Sequence, residues 1–232
     1  LTCIVGGNGA GKTTALMTAA GVFAPYRGKV KYRGKPISTF RKDKGSAGKI
    51  GVLVQYPLCC FVMDSVSDEL EATAKAYKLP RSGIEEVIDI MQLQSVLGSN
   101  PYDISGGELQ RAAIAKLLLP EPEVIFLDEA TKGMDAFFKA EFGALLRRLA
   151  ARGTAIVLVS HDIEFCAEFA DRCAMFFNGT VIAEGTPQEV FLGNSFYTTS
   201  ACRISRGIIP DALTSEQVID YANRCERKKN DA

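Results

Sequence analysis

Apolar residues follow two rhythms along this chain. Leu1–Val5, Ile50–Val54, Val124–Leu127 and Ala155–Val159 are short, nearly continuous apolar runs, each bounded by turn residues or charges. Such runs predict strands buried on both faces, as in a parallel sheet. Between them the spacing turns helical. Ile84, Val87, Ile88 and Met91 fall at i, i+3, i+4 and i+7, inside a stretch from Asp64 to about Leu97 that reads as helix. Lys12–Ala20 and Ala140–Arg152 predict two more helices, the second with Arg147, Arg148 and Arg152 on a solvated side. A helix opening at Ser105 reaches Leu119 and stops at Pro120 and Pro122. Gly28–Pro36, turning at Arg33-Gly34, and Ala174–Glu184, turning at Asn178-Gly179, predict antiparallel hairpins.

The expected fold is therefore α/β, a mostly parallel sheet with antiparallel hairpins and a helical insert over about residues 60–119. The main domain is expected over residues 1–185 and a helical extension over 186–232. The extension opens at Thr186, with Pro187 at N1 and Glu189 at N3 of a short helix. Phe196–Pro210 reads as irregular, Thr214–Arg227 as a final helix and Lys228–Ala232 as a frayed tail. The chain starts inside a strand and without Met, so it is expected to be a piece of a longer polypeptide lacking the N-terminal part of its domain.

Composition adds little to that picture. The 232 residues carry 47% hydrophobic side chains, enough for a sizeable core. Lys+Arg and Asp+Glu both count 27, which gives no global bias toward nucleic acid or anionic membrane. The basic stretch Arg41–Lys49 reads as a solvated loop without a nucleic-acid role. No apolar run approaches the ~20 residues of a membrane span. Seven cysteines fit no zinc or disulfide spacing. They are expected to be reduced thiols of a cytosolic protein, with Cys59 and Cys60 an adjacent buried pair.

Chemistry enters where the strands end. After Leu1–Val5 comes GGNGAGKTT, Gly6–Thr14, matching G-x-x-x-x-G-K-[ST] at Gly6, Gly11, Lys12 and Thr13. Bare glycines let the backbone N–H groups of Gly7, Asn8, Gly9 and Ala10 cradle phosphates, and the helix start adds positive dipole. Lys12 is placed to reach outer phosphates, Thr13 to ligate Mg²⁺ and Thr14 to continue the cradle. Gln55, Asp128-Glu129 and His161 end the other strands, and ligands bind at such carboxyl ends. Asp128 is a hard oxygen ligand for Mg²⁺, and Glu129 is placed to polarise a water. His161, the single histidine, is expected to contact a terminal phosphate. Ser105 and Glu108 form a capping box, and Gly106 and Gly107 expose N–H groups to an anion. On those residues alone an ordinary helix cap is the better account of the motif.

ISGGELQR at Ile104–Arg111 resembles the signature of ATP-binding-cassette (ABC) ATPases. The phosphate loop, Gln55, VIFLDEA (Val124–Ala130), KGMD (Lys132–Asp135) and LVSHD (Leu158–Asp162) resemble that family's other motifs, in its order. The resemblance implies a P-loop NTPase nucleotide-binding domain that uses ATP and Mg²⁺. Two such domains, as homodimer, heterodimer or fused halves, would sandwich two nucleotides. Ser105, Gly106 and Gly107 would then complete the partner's site, and Asp135 would connect the two. Gln55 would sense Mg²⁺ and relay nucleotide state to a membrane subunit. Glu129 would be the catalytic base, and His161 would steady the γ-phosphate.

FVMDSVSDEL (Phe61–Leu70), TKGMDA (Thr131–Ala136) and Asn194–Ile219 resemble energy-coupling-factor ATPases, most of all the second half of fused double-cassette forms. That implies uptake of a vitamin or transition-metal ion, with a transmembrane coupling subunit and a substrate-binding membrane subunit, at the cytoplasmic membrane face. The alternative within the family is a soluble ATPase of translation or DNA repair. Two departures stand out. Gly7 replaces a frequent Pro or Ser, and Ala130 and Ala136 replace frequent prolines, so a looser loop around Asp135 is expected.

Overall fold

Each continuous apolar run forms a strand close to its expected bounds. In the computed structural model, which describes residues 1–194, 197–209 and 211–230, the strands are β1 (Thr2–Gly6), β2 (Lys31–Tyr32), β3 (Lys35–Pro36), β4 (Ile50–Leu53), β5 (Val124–Asp128), β6 (Ala155–Val159), β7 (Arg172–Phe177) and β8 (Thr180–Gly185). The helices are α1 (Lys12–Ala19), α2 (Ile37–Phe40), α3 (Val66–Tyr77), α4 (Arg81–Met91), α5 (Gly106–Leu118), α6 (Ala136–Ala151), α7 (Ile163–Phe169), α8 (Pro187–Phe191), α9 (Ser200–Ser205) and α10 (Ser215–Asn230). Two units result, Leu1–Lys12 with Ser160–Ala232, and Thr13–Val159.

In the Thr13–Val159 unit, β4, β5 and β6 are parallel, with Leu53 opposite Leu127 and Leu127 opposite Leu158. All three leucines are buried, as strands covered on both faces require. The parallel register brings the residues that follow β4 and β5 to one edge. The expected helical insert is α3, α4 and α5, with single 3-10 turns at Pro57–Cys60 and Gln94–Val96. The β2–β3 hairpin turns at Arg33 (φ 48°) and Gly34 (φ 79°). Arg33 and Lys49 pair with Glu123 at 2.6 and 2.9 Å, and the Tyr32 hydroxyl donates to the same carboxylate.

Among the described residues, two carboxylates in this unit are deeply buried, Asp128 at the end of β5 and Glu69. Glu69 on α3 is 2% exposed. Burial pushes its carboxyl up, but hydrogen bonds from Lys116 and from the Val62 and Met63 amides outweigh that and hold it below the usual carboxylate range.

In the other unit β1 and β7 run parallel, with Cys3 opposite Cys173 and Gly6 opposite Phe176. β7 and β8 form the hairpin at Asn178 (φ 47°) and Gly179 (φ 79°), the positive φ pair that an Asn-Gly turn supplies. Thr186 and Glu189 make the expected capping box on α8. Cys3, Cys166 and Cys173 are buried together, and burial pushes the Cys173 thiol up to about 12. At neutral pH it behaves as a small apolar side chain.

Several elements differ from their sequence reading. α6 begins four residues before Ala140, because Asp135 caps it. α7 has no counterpart in the reading; Asp162 caps this short helix. Part of the stretch read as irregular is α9, capped by Thr199; Phe196 and Pro210 lie outside the described residues. α10 continues past Arg227 to Asn230, with Asp231 and Ala232 outside the described residues. Cys59 is exposed and Cys60 half-buried, not a buried pair, since the turn that carries them lies on the surface. Among the described residues, no helix is long and apolar enough to cross a membrane.

Candidate functional site

The phosphate loop takes its shape from β1 and from the β7–β8 hairpin. Gly6 has φ 148°, and a Cβ there would lie 2.3 Å from the Phe176 carbonyl oxygen. Only glycine lets the loop leave β1 while β1 still pairs with β7. Gly9 and Gly11 also hold positive φ, 76° and 94°. The hairpin tip grips the loop, since the Gly179 amide donates to the Ala10 carbonyl at 3.1 Å. Gly7 has no such backbone demand, but a Cβ there would sit 3.3 Å from the Tyr197 hydroxyl. Neither Gly179 nor Tyr197 could be singled out from the sequence, because nothing local links them to the loop.

Lys12 is 6% exposed. Its ammonium donates to the Gly6 and Gly7 carbonyls at 2.9 and 3.0 Å and lies 3.4 Å from His161 Nε2. An ammonium has only donors, so the third contact is a hydrogen bond when Nε2 carries no proton. The lysine and the histidine ring are thus brought together, with His161 itself exposed. Asn8, Gly9, Thr13 and Thr14 are exposed as well.

In the Thr13–Val159 unit the Thr13 hydroxyl donates to Asp128 Oδ1 at 3.2 Å. Asp128 is 1% exposed, at the end of β5. A hydroxyl and a carboxylate oxygen are hard donors of the kind Mg²⁺ takes, and Mg²⁺ keeps several waters beside one or two carboxylates. The described residues contain no group of three or more His, Cys, Asp or Glu that could hold a metal, and this donor set does not need one. Glu129 follows in the left-handed region at φ 56°, its amide donating to the Val159 carbonyl at 2.9 Å. A glutamate held there is strained. Gln55 is exposed, two residues past β4.

Ser105 caps α5 as expected. Its Oγ accepts from the Glu108 amide at 3.3 Å, while Glu108 Oε2 accepts from the Ser105 amide at 2.9 Å and hydroxyl at 2.6 Å. Those two bonds hold the Glu108 carboxyl below the usual range. Ser105 and Gly106 are exposed. The two glycines differ. A Cβ on Gly106 meets nothing within 4 Å, but one on Gly107 would lie 2.7 Å from the Gly133 carbonyl oxygen. The KGMD turn therefore packs its backbone on the first turn of α5. Asp135 Oδ1 accepts from the Phe138 amide at 2.8 Å, and the Lys132 amide donates to the Glu129 carbonyl at 3.1 Å. Ala130 and Met134, which flank this turn, are buried.

Gly107→Ala should lower unfolding free energy by roughly 1–3 kcal/mol through overpacking against that carbonyl. Gly106→Ala should be neutral or stabilising by up to about 1 kcal/mol. Urea unfolding of the two variants checks the contrast, and equal effects would refute the Gly107–Gly133 contact.

Comparison with known proteins bears on these clusters. A family model described as "ABC transporter" matches residues 1–132. A Bacillus cereus protein provisionally named as an ABC transporter ATP-binding protein is 41% identical over 219 residues, 94% of this chain and 39% of that protein. The chain thus spans about two fifths of the length of the first curated relatives it matches. The energy-coupling factor transporter ATP-binding protein EcfA of Methanocaldococcus jannaschii is 32% identical over 193 residues, 81% of this chain and 69% of EcfA. Among solved structures, cbiO1 of Clostridium perfringens, described as part of the ABC transporter complex cbiONQ, superposes with a TM-score of 0.69 at 30% identity, covering 82% of this chain and 78% of that one.

Proposed function

The chain belongs to the ABC transporter family, and we propose that it binds and hydrolyses ATP to power transport across a membrane. The observation that carries this reading is the Thr13–Asp128 pair, a hydroxyl on a buried carboxylate at 3.2 Å, with Thr13 directly following the glycine-rich loop in the sequence. Lys12 exchanges the Gly6 and Gly7 carbonyls for phosphate oxygens when nucleotide enters. Backbone amides of Gly7–Gly11 and the start of α1 bind the remaining phosphate charge. Thr13 and Asp128 would hold Mg²⁺, which would supply charge neutralisation on the transferred phosphoryl group. Glu129 orients and deprotonates the attacking water, Gln55 lies at the metal side, and His161 donates to the terminal phosphate. Most of the rate gain comes from such positioning and charge stabilisation.

The finer reading is an energy-coupling-factor ATPase importing a vitamin or transition-metal ion. It is supported by the likeness to EcfA and to cbiO1. On that reading the partners are a second ATPase domain, a transmembrane coupling subunit and a substrate-binding membrane subunit. The protein is then peripheral, on the cytoplasmic face.

Calorimetric titration with ATP tests the core of the proposal. Binding should be tighter with Mg²⁺ than with EDTA, and Asp128→Asn should weaken the Mg²⁺-dependent part by roughly 10–100-fold, the range found for groups that set a metal site. Metal-independent binding in the unaltered protein would sink the assignment of Thr13 and Asp128.

A further inference from the structure

Four consecutive residues downstream of Gln55 are each held by one ion pair, between the buried Glu69 and the half-buried Lys116. Glu69 Oε2 accepts from the Val62 and Met63 amides at 2.8 and 2.9 Å. Its other oxygen accepts from Lys116 Nζ, which also donates to the Cys60 carbonyl. The same ammonium lies 5.8 Å from the centre of the Phe61 ring. Lys116 sits on α5, the helix that begins at the Ser105 cap. Tyr56, Val62 and Met63 meanwhile expose 70%, 80% and 41% of their surface. The segment is thus open outward and clamped inward.

Stability alone does not account for this arrangement. Replacing a buried ion pair by apolar side chains of similar volume is often neutral or stabilising, whereas breaking one partner away is strongly unfavourable. A pair with four polar and ring contacts on one short segment fixes geometry. An α-helix moves as a rigid rod, so a shift at Lys116 is carried to the first turn of α5.

We propose that Glu69 and Lys116 are positioning residues that couple the segment after Gln55 to α5, so that Cys60–Met63 and Ser105–Leu109 move as one. This rests on the functional reading above, in which Gln55 and Ser105 both act on nucleotide. A change at the exposed segment reaches Ser105 through the pair, and nucleotide engaged at Ser105 sets the segment.

The test uses the full polypeptide and three variants, Glu69→Gln, Lys116→Met and Lys116→Arg. Hydrogen exchange without nucleotide compares residues 60–63, residues 105–109 and α6. Turnover is measured per bound nucleotide, so that misfolded protein does not enter. Glu69→Gln and Lys116→Met should speed exchange roughly tenfold in both coupled segments and change α6 less than about twofold. They should lower kcat per site roughly tenfold with KM for ATP within about twofold, and Lys116→Arg should restore both readouts. Faster exchange confined to residues 60–63 overturns the coupling, as does unchanged kcat per site in Glu69→Gln. Exchange rising evenly through the unit makes the pair a simple staple and also overturns it. If the unaltered protein shows no ATP turnover, the functional reading fails instead, and the exchange contrast still decides the coupling.

Discussion

Glu129→Gln should lower ATP hydrolysis by roughly 10²–10⁴-fold, the share a positioned general base supplies, while ATP binding stays within a few-fold. The substitution keeps size and shape and removes only the charge that draws a proton from water. Its backbone is the other reason to expect a clean result. Glu129 sits at φ 56° with its amide on the Val159 carbonyl, and glutamine meets the same steric demand there. Thr13, Asp128 and the phosphate loop are untouched, so nucleotide is still held. Steady-state turnover alongside equilibrium ATP binding is the measurement. Undiminished hydrolysis refutes the role of Glu129, and lost binding shows that the turn itself was broken.

Ser105→Arg should abolish hydrolysis at a partner's site and spare its own. Ser105 and Gly106 are exposed at the start of α5, where a second chain would bring its nucleotide. Losing the cap costs about 1 kcal/mol, too little to unfold the domain. A bulky cation in front of the helix N-terminus blocks the approach of phosphate. Mixed dimers separate the two cases. With Ser105→Arg on one chain and Glu129→Gln on the other, one complete site survives and about half the activity remains. With both substitutions on the same chain opposite an unaltered one, neither site is complete and activity is lost. The reverse pattern would mean that Ser105 serves its own chain's nucleotide and that no sandwich forms.

The strands were legible because the continuous runs at residues 50–54, 124–127 and 155–159 leave no helical alternative at that length. The Ser105 and Thr186 boxes were legible because their bonds are local. α6 begins ahead of the stretch read as helix because Asp135 caps it through the Phe138 amide. α7 is only seven residues long, too short for a period to show. The candidate site residues at strand ends can be named from the sequence for a topological reason: a parallel strand delivers the residue after it to the edge where ligands bind. What supports them cannot be named this way. The Gly179 bond to Ala10, the Tyr197 hydroxyl beside Gly7 and the Gly107–Gly133 approach join residues far apart in the chain. No pattern in a single sequence records such contacts.

The grip of the β7–β8 hairpin on the phosphate loop has a consequence for synthesis. The loop leaves the ribosome well over a hundred residues ahead of Phe176 and Gly179, which fix Gly6 and Ala10. Non-local pairing of this kind forms late, after the entropy of closing the intervening chain has been overcome. A nascent chain stalled before Arg172 should therefore fail to retain an ATP analogue, and one stalled with β8 fully emerged should retain it. Nucleotide cannot template the folding of this loop; it can only recognise a loop whose hairpin has already been made.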